Sequence, residues 1–371
     1  MGSIYEHAYV TIAATAASSS SEGFLKKRPT AYETSIPYSL TSECKSERSG
    51  VIHFRYPSRS NFTDLLDASQ WSSRGWCFQE QLLSPRTLYF TNDVVYFECR
   101  VAQNLEDNAY DMPYPLWIPW IQQPDSKRPQ VVAPPFREPK GSESNRVPYT
   151  NWYWVAERYA ERNLTFSDDR LPALSGLARR MAQFSKDKYL AGLWLGDITA
   201  GMLWYPKNHS CMKALSTYRA PSWSWAGVEG EIEFDRYAPP LEYVIKVVSA
   251  ETTPSGPDIM GRVLSGKLVI EGRLLPLQNI VDMPVLPLGK SRLQGETEGW
   301  ATLDMETTFT MERRIEALAV AREAAPGNDG PSGLLLEPVG GDSEELYRRV
   351  GIFKCNYSKF ADVSPRVIKI V

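Results

Sequence analysis

The sequence predicts an α+β protein, and three observations lead to this fold class. Residues 73–99 have the pattern of a short helix followed by a β-hairpin. Residues 150–205 carry apolar side chains at helical spacing. Beyond residue 241, short strand-like runs alternate with Gly, Pro and Asp turns, which predicts an antiparallel β module. From these changes in pattern we predict four parts: residues 1–100, a proline-rich loop or lid over residues 101–150, a helical and Trp-rich region over residues 151–240, and the β-rich module over residues 241–371.

Composition and charge argue against several classes of function. The 371 residues carry a formal net charge of -3 without a basic stripe, which argues against nucleic acid as a partner. No apolar run approaches the roughly 18 residues that a membrane span requires, and we expect no secretory signal. The five cysteines are odd in number and widely spaced, which predicts a reduced, cytoplasmic chain. The three histidines show no metal-ligand spacing, so we predict neither a metal site nor a cofactor.

The central helix has one stripe that mixes aromatic, acidic and aliphatic side chains. Trp76, Glu80 and Leu83 lie at positions i, i+4 and i+7, so they share a face. Ser72 or Ser73 is placed to cap the N-terminus of this helix. A carboxylate beside an indole is either paired with a nearby arginine or takes part in function, and the sequence leaves both alternatives open.

Two regions lack the periodicity of long elements. Residues 36–64 are predicted to be rich in turns. In residues 101–150, nine prolines exclude long helices. The apolar run over residues 114–120 contains Trp117 and Trp120. It either packs over the edge of a core or forms a lid over an apolar pocket.

A helix start is predicted after residue 166. Ser167 is placed to cap this helix, and Asp168 and Asp169 lie in its first turn, where carboxylates favour the positive end of the helix dipole. Acid–base chemistry at the cluster of Asp168, Asp169 and Arg170 is the alternative interpretation.

Tryptophan and tyrosine are unusually frequent, with 11 and 19 copies. Residues 219–228 alternate with period two, so Trp223 and Trp225 are predicted to share one face of a strand. These indoles, like that of Trp194, either fill the core or line a ligand cavity.

Two N-terminal segments carry dense combinations of residues. Residues 1–14 read MGxIYxxAxxTIAA, and residues 73–86 read SRGWCxQExLLSPR. Both resemble the closing portion of the fungal heterokaryon-incompatibility (HET) domain. Later segments resemble the region that follows this domain in such proteins: residues 164–176, 189–194, 219–226 and 347–351.

The resemblance implies an N-terminally truncated member of the HET family, either because the gene model starts late or because the protein is a trimmed descendant. HET domains normally begin upstream of this point, with strands and helices similar to the α/β fold of Toll/interleukin-receptor domains. Residues 1–100 would then be the remnant of that core. The family's role is to trigger cell death when unlike hyphae fuse, which implies action through protein partners.

Two classes of function are compatible with these features. HET-like proteins also occur among fungal specialised-metabolite genes, and an aromatic-rich chain with few histidines suits a cofactor-free enzyme. Such an enzyme would fold an apolar terpenoid or polyketide polyene and promote its Diels–Alder-type cyclisation by holding the reacting ends together. The alternative is a heterokaryon-incompatibility or cell-death regulator that acts through protein partners.

The residues of the predicted site follow from the enzyme hypothesis. Glu80 and Arg74 are the predicted catalytic groups, because a polar side chain could polarise the carbonyl of a dienophile. Indoles are predicted to form the walls that bind the apolar small-molecule substrate: Trp76, Trp117, Trp120, Trp194, Trp223 and Trp225.

Overall fold

The chain folds as two compact units, Met1–Arg137 and Glu138–Val371, in a computed structural model. The structure describes residues 1–26, 33–41, 47–55, 66–100, 102–106, 147–208, 212–234, 242–277, 300–305, 314–322, 333–340, 345–355 and 357–371. Helices and antiparallel sheets are both present, which confirms the α+β class. The four-part division of the chain stays a prediction. Residues 107–146 of the predicted lid, which include Trp117 and Trp120, lie outside the described residues.

The described part of the first unit combines short helices with strands. Its helices are α1 (Gly2–Glu6) and α2 (Gly75–Leu83). Its strands are β1 (Thr11–Ala13), β2 (Glu33–Thr41), β3 (Glu47–Arg55), β4 (Arg86–Phe90), β5 (Val95–Cys99) and β6 (Ala102–Leu105).

A four-stranded sheet with the order β1-β4-β5-β6 organises this unit. Strand β1 is parallel to β4, with Thr11 opposite Thr87, whereas β4 and β5 form the antiparallel hairpin that the sequence predicts. Buried side chains from the sheet and from the segment before α2 form its core: Ala13, Leu66, Tyr89, Val94 and Tyr96.

The predicted serine cap of α2 is wrong. The helix begins after Arg74, whose backbone is extended and whose side chain makes no capping hydrogen bond. The Ser72 hydroxyl instead donates to the carbonyl oxygen of Ser69 at 3.0 Å, and that of Ser73 donates to Gln70 at 2.9 Å. Short polar side chains readily bond to nearby backbone in turns, and here the preceding turn takes both hydroxyls.

The turn-rich prediction for residues 36–64 is wrong where the structure describes them. Strands β2 and β3 form a nine-residue antiparallel pair, in which Ile36 lies opposite Ile52 and Pro37 opposite Val51. The proline resembles a turn residue in isolation. The alternation of branched and aromatic side chains on both sides of it favours a strand.

The second unit contains three described α-helices and a large sheet. The helices are α3 (Val147–Ala160), α4 (Ser175–Ser185) and α5 (Ile198–Gly201). Two short strands lie between α4 and α5, β7 (Tyr189–Leu190) and β8 (Leu193–Trp194). Three more follow α5: β9 (Tyr205–Pro206), β10 (Ile232–Glu233) and β11 (Glu242–Tyr243).

Nine further strands are described in the C-terminal β module. They are β12 (Lys246–Pro254), β13 (Val263–Gly272), β14 (Leu274–Pro276), β15 (Trp300–Leu303), β16 (Glu316–Ala319), β17 (Ala321–Arg322), β18 (Gly333–Pro338), β19 (Leu346–Lys354) and β20 (Arg366–Ile370). Eight described strands form one sheet in the order β12-β13-β20-β19-β18-β16-β14, with β15 also paired to β19. All its pairs are antiparallel except β19 with β20.

Two local predictions in the second unit are wrong. Residues Ser167–Asp169 form a 3₁₀ turn that Ser167 does not cap, and α4 begins only at Ser175. Residues 219–228 do not form a strand, because Trp225–Gly227 is a 3₁₀ turn. The Ser224 hydroxyl accepts the amide of Ala226 at 3.0 Å, so the serine that resembled a strand residue is a cap.

Candidate functional site

The described residues of the predicted site fall into two groups, one on each unit. Arg74, Trp76 and Glu80 belong to the first unit. Trp194, Trp223 and Trp225 belong to the second unit. The assignment of catalytic and substrate-binding roles to these side chains stays a prediction.

In the first unit, the candidate catalytic residue Glu80 forms a hydrogen bond with a tyrosine of α1. The hydroxyl of Tyr5 donates to the Glu80 carboxylate, and burial followed by this hydrogen bond raises the pKa of Tyr5 to about 12. The phenol therefore keeps its proton at neutral pH. Arg74 lies exposed at the start of α2, and Trp76 is half-buried one turn before Glu80.

In the second unit, five indoles form a buried cluster, here called the indole cluster. Each is at most 2 % exposed: Trp152, Trp194, Trp204, Trp223 and Trp225. Trp152 and Trp194 meet edge to face with ring centroids 5.4 Å apart. Trp152 and Trp194 therefore pack as core residues do, in the geometry that aromatic quadrupoles favour.

The cluster holds the tight turn between β7 and β8. Both turn residues have positive φ, 45° at Ala191 and 97° at Gly192, as a two-residue hairpin turn requires. The Gly192 carbonyl accepts the indole N–H groups of Trp152 at 2.8 Å and Trp225 at 3.0 Å. The Ser224 hydroxyl donates to the Ala191 carbonyl at 2.5 Å. Three side chains thus fix one turn.

Other residues of the segment that carries Trp223 and Trp225 also hold it in place through hydrogen bonds. Buried Arg219 donates to the carbonyl oxygens of Ala226 at 2.7 Å and Val228 at 2.6 Å. Ser222 accepts the amide of Arg349 in β19 at 2.9 Å. The alternating pattern in the sequence therefore reflects a loop that is anchored to the sheet and to the β7–β8 turn.

Two indoles of the cluster have no such bond. The N–H groups of Trp194 and Trp223 are buried and meet no hydrogen-bond acceptor among the described residues. A buried donor without an acceptor costs free energy, so these are the positions where the cluster is least satisfied.

Substitution of phenylalanine for Trp225 should cost about 1 kcal/mol more stability than the same change at Trp194. Both changes shrink a buried ring, but only the first removes a hydrogen bond to Gly192. Urea unfolding followed by far-ultraviolet circular dichroism measures the difference. Equal losses would show that the bond to Gly192 contributes no net stability.

Sequence reasoning missed the residues that define these local arrangements. Tyr5 and Trp152 contact their partners over long separations in the chain, which periodicity does not detect. Gly192, between two apolar runs, carried a usable signal, because an isolated glycine there indicates a turn.

The described residues contain neither a cluster of metal ligands nor a helix that could span a membrane. No three His, Cys, Asp or Glu side chains among them come together in a way that could hold a metal ion. None of the helices that the structure describes is long and apolar enough to cross a membrane.

The family model of the heterokaryon incompatibility protein (HET) matches residues 1–80. This match confirms the predicted resemblance for that stretch, which contains α1, β1, the β2–β3 hairpin and most of α2. The resemblance of the later segments stays a prediction. Comparison with curated proteins and with solved structures found no match.

Proposed function

We propose that this chain is a regulator of the heterokaryon-incompatibility type, which acts through protein partners. The observation that carries the proposal is the HET family match over residues 1–80. That stretch includes the bond between Tyr5 and Glu80, which ties α1 to α2. A regulator that acts through protein partners needs a stably folded surface but no reactive pocket.

The indole cluster supports this choice over a catalyst. Its members are buried, and three of them donate to backbone carbonyls: Trp152, Trp204 and Trp225. An indole that bonds the backbone of its own chain at full burial stabilises the fold. These three side chains therefore have a structural role.

A cofactor-free cyclase is the second candidate. It is favoured by the unpaired N–H groups of Trp194 and Trp223, because an indole N–H could polarise a carbonyl of an apolar polyene. This function requires the cluster to open and admit the substrate, which the regulator does not.

Expression of the full chain in a filamentous fungus tests the proposal. We expect induced expression to arrest growth. We expect Tyr5→Phe, which removes the bond to Glu80, to weaken the arrest several-fold at equal protein level. Tyr9→Phe is the matched control, since Tyr9 is 83 % exposed, and it should arrest growth like the parent chain.

The same cultures separate the two candidates. Unaffected growth at normal protein level would overturn the regulator proposal. Unaffected growth together with a new cyclised terpenoid or polyketide in the extract would favour the cyclase.

A further inference from the structure

The β2–β3 hairpin has an apolar face without a described partner. Its two strands pair only with each other among the strands that the structure describes. Four large side chains on one face are between 37 % and 49 % exposed: Ile36, Tyr38, Ile52 and Phe54. An isolated two-stranded hairpin is marginally stable in water, and more strands with a shared apolar face stabilise it.

The two outer edges of the hairpin differ in their ability to accept another strand. Pro37 lies in the middle of β2 and has no N–H, and a proline in a strand is tolerated where its nitrogen points away from the ladder. The outer edge of β2 therefore lacks a central donor. Its partner residue Val51 has an N–H group, so the outer edge of β3 keeps its central hydrogen-bond donor.

The register places the outward groups of β3 on alternate residues. Since Pro37 pairs with Val51 and must face outward, the N–H and C=O groups of Ser49, Val51 and His53 also point away from β2. These groups form a continuous row of donors and acceptors along the edge of β3 that no described strand covers, here called the open edge.

The β3 sequence is complementary to itself in the antiparallel direction. A two-fold axis at Val51 places Ser49 opposite His53 of a second copy, and Gly50 opposite Ile52. The hairpin already contains one such pair, because the Ser35 hydroxyl lies 2.7 Å from Nδ1 of His53. Ser49 of the second copy would form a second serine–histidine pair with His53, on the other side of its ring.

We propose that β3 pairs with β3 of a second copy of this chain and forms a four-stranded antiparallel sheet. The interface is isologous, as expected for a two-fold dimer, because each strand supplies the same residues to the other. In this sheet, Ile52 and Phe54 of the two copies lie on the same face, on either side of the interface between the two β3 strands.

The exposed area indicates how strong this association is. At roughly 200 Å² for a large side chain, the four apolar residues expose roughly 350 Å² per copy. Pairing at the edge of β3 covers only the part of this area that lies next to the partner strand, so the buried apolar area stays well below the ~1,200 Å² at which stable specific interfaces begin. The dimer is therefore weak and forms in a concentration-dependent manner.

Sedimentation velocity of the purified full chain over a wide range of concentration tests the proposal. We expect a reversible monomer–dimer equilibrium. Val51→Pro removes the central donor of the open edge and should raise the dimer dissociation constant by about tenfold or more. Ser39→Pro is the matched control, because it places a proline at an equivalent outward position on β2 and should leave the equilibrium unchanged.

A second pair of variants guards against a loss of folding. Val51→Lys keeps the N–H but sets two like charges opposite each other at the two-fold axis, so it should also prevent dimerisation. Val51→Thr should preserve it. A monomer at every concentration, or equal effects of Val51→Pro and Ser39→Pro, would overturn the proposal. The measurement uses purified protein, so its outcome is independent of the growth assay.

Discussion

Replacement of Arg349 by methionine should lower the free energy of unfolding by about 3–5 kcal/mol, the usual cost of removing one partner of a buried ion pair. The Arg349 side chain is 0 % exposed and binds both oxygens of Asp304, at 2.8 and 2.9 Å. It also donates to the carbonyl oxygens of Met202 and Trp204, both at 2.5 Å. Methionine would leave a buried carboxylate and two carbonyls without their donor.

The position of Arg349 explains why a single side chain has this effect. It lies in β19, whereas Asp304 follows β15 and Trp204 precedes β9. Its guanidinium carbon stands 3.5 Å from the centroid of the Trp204 ring. Burial lowers the pKa of Arg349, and the charge of Asp304 opposes this shift. One residue therefore joins the sheet to the indole cluster.

The neighbour Arg348 supplies the matched control. Its side chain is 56 % exposed and pairs with Glu337 at the surface, so Arg348→Met should change stability by less than about 1 kcal/mol. The double variant Arg349→Met with Asp304→Asn should recover part of the loss, because no buried charge then remains. Urea unfolding of the full chain measures all three. Equal losses for Arg348→Met and Arg349→Met would contradict the prediction.

Patterns that depend on near neighbours were readable from the sequence. The hairpin of β4 and β5 follows from alternation around a turn, and both strands occur where the pattern indicates. The short strands of the C-terminal module likewise follow from local punctuation. Helix α2 was predicted at the right place, although its cap was not.

Features that depend on distant partners were not readable. The segment with Trp223 and Trp225 alternates like a strand, but several of its peptide groups bond within the loop. Its serine hydroxyls bond to remote backbone groups. No local pattern indicates that the Gly192 carbonyl oxygen accepts hydrogen bonds from the indoles of Trp152 and Trp225, which lie 40 and 33 residues away in the chain. Trp76 and Glu80 lie one turn apart in α2, as the helical pattern indicates, but the interaction of Glu80 with the distant Tyr5 has no local signal.

Replacement of Gly192 by alanine is expected to have the next largest effect, a loss of about 2–4 kcal/mol. The residue has a φ of 97°, which L side chains rarely adopt. A Cβ there would lie 2.8 Å from Nε1 of Trp225, and that ring is fully buried. In a unit of this size the loss should lower the melting temperature by about 5–12 °C. Thermal unfolding followed by circular dichroism measures it.

Two controls separate the causes of this loss. Gly256→Ala, where a Cβ meets nothing within 4 Å, should change stability by less than about 0.5 kcal/mol. If the clash with Trp225 contributes, the double variant Gly192→Ala with Trp225→Phe should lose less than the sum of the single changes, because the smaller ring makes room. If instead the losses add, backbone strain alone accounts for the cost. A loss at Gly192 no larger than at Gly256 would mean that the turn tolerates a side chain, and the indole cluster would not depend on it.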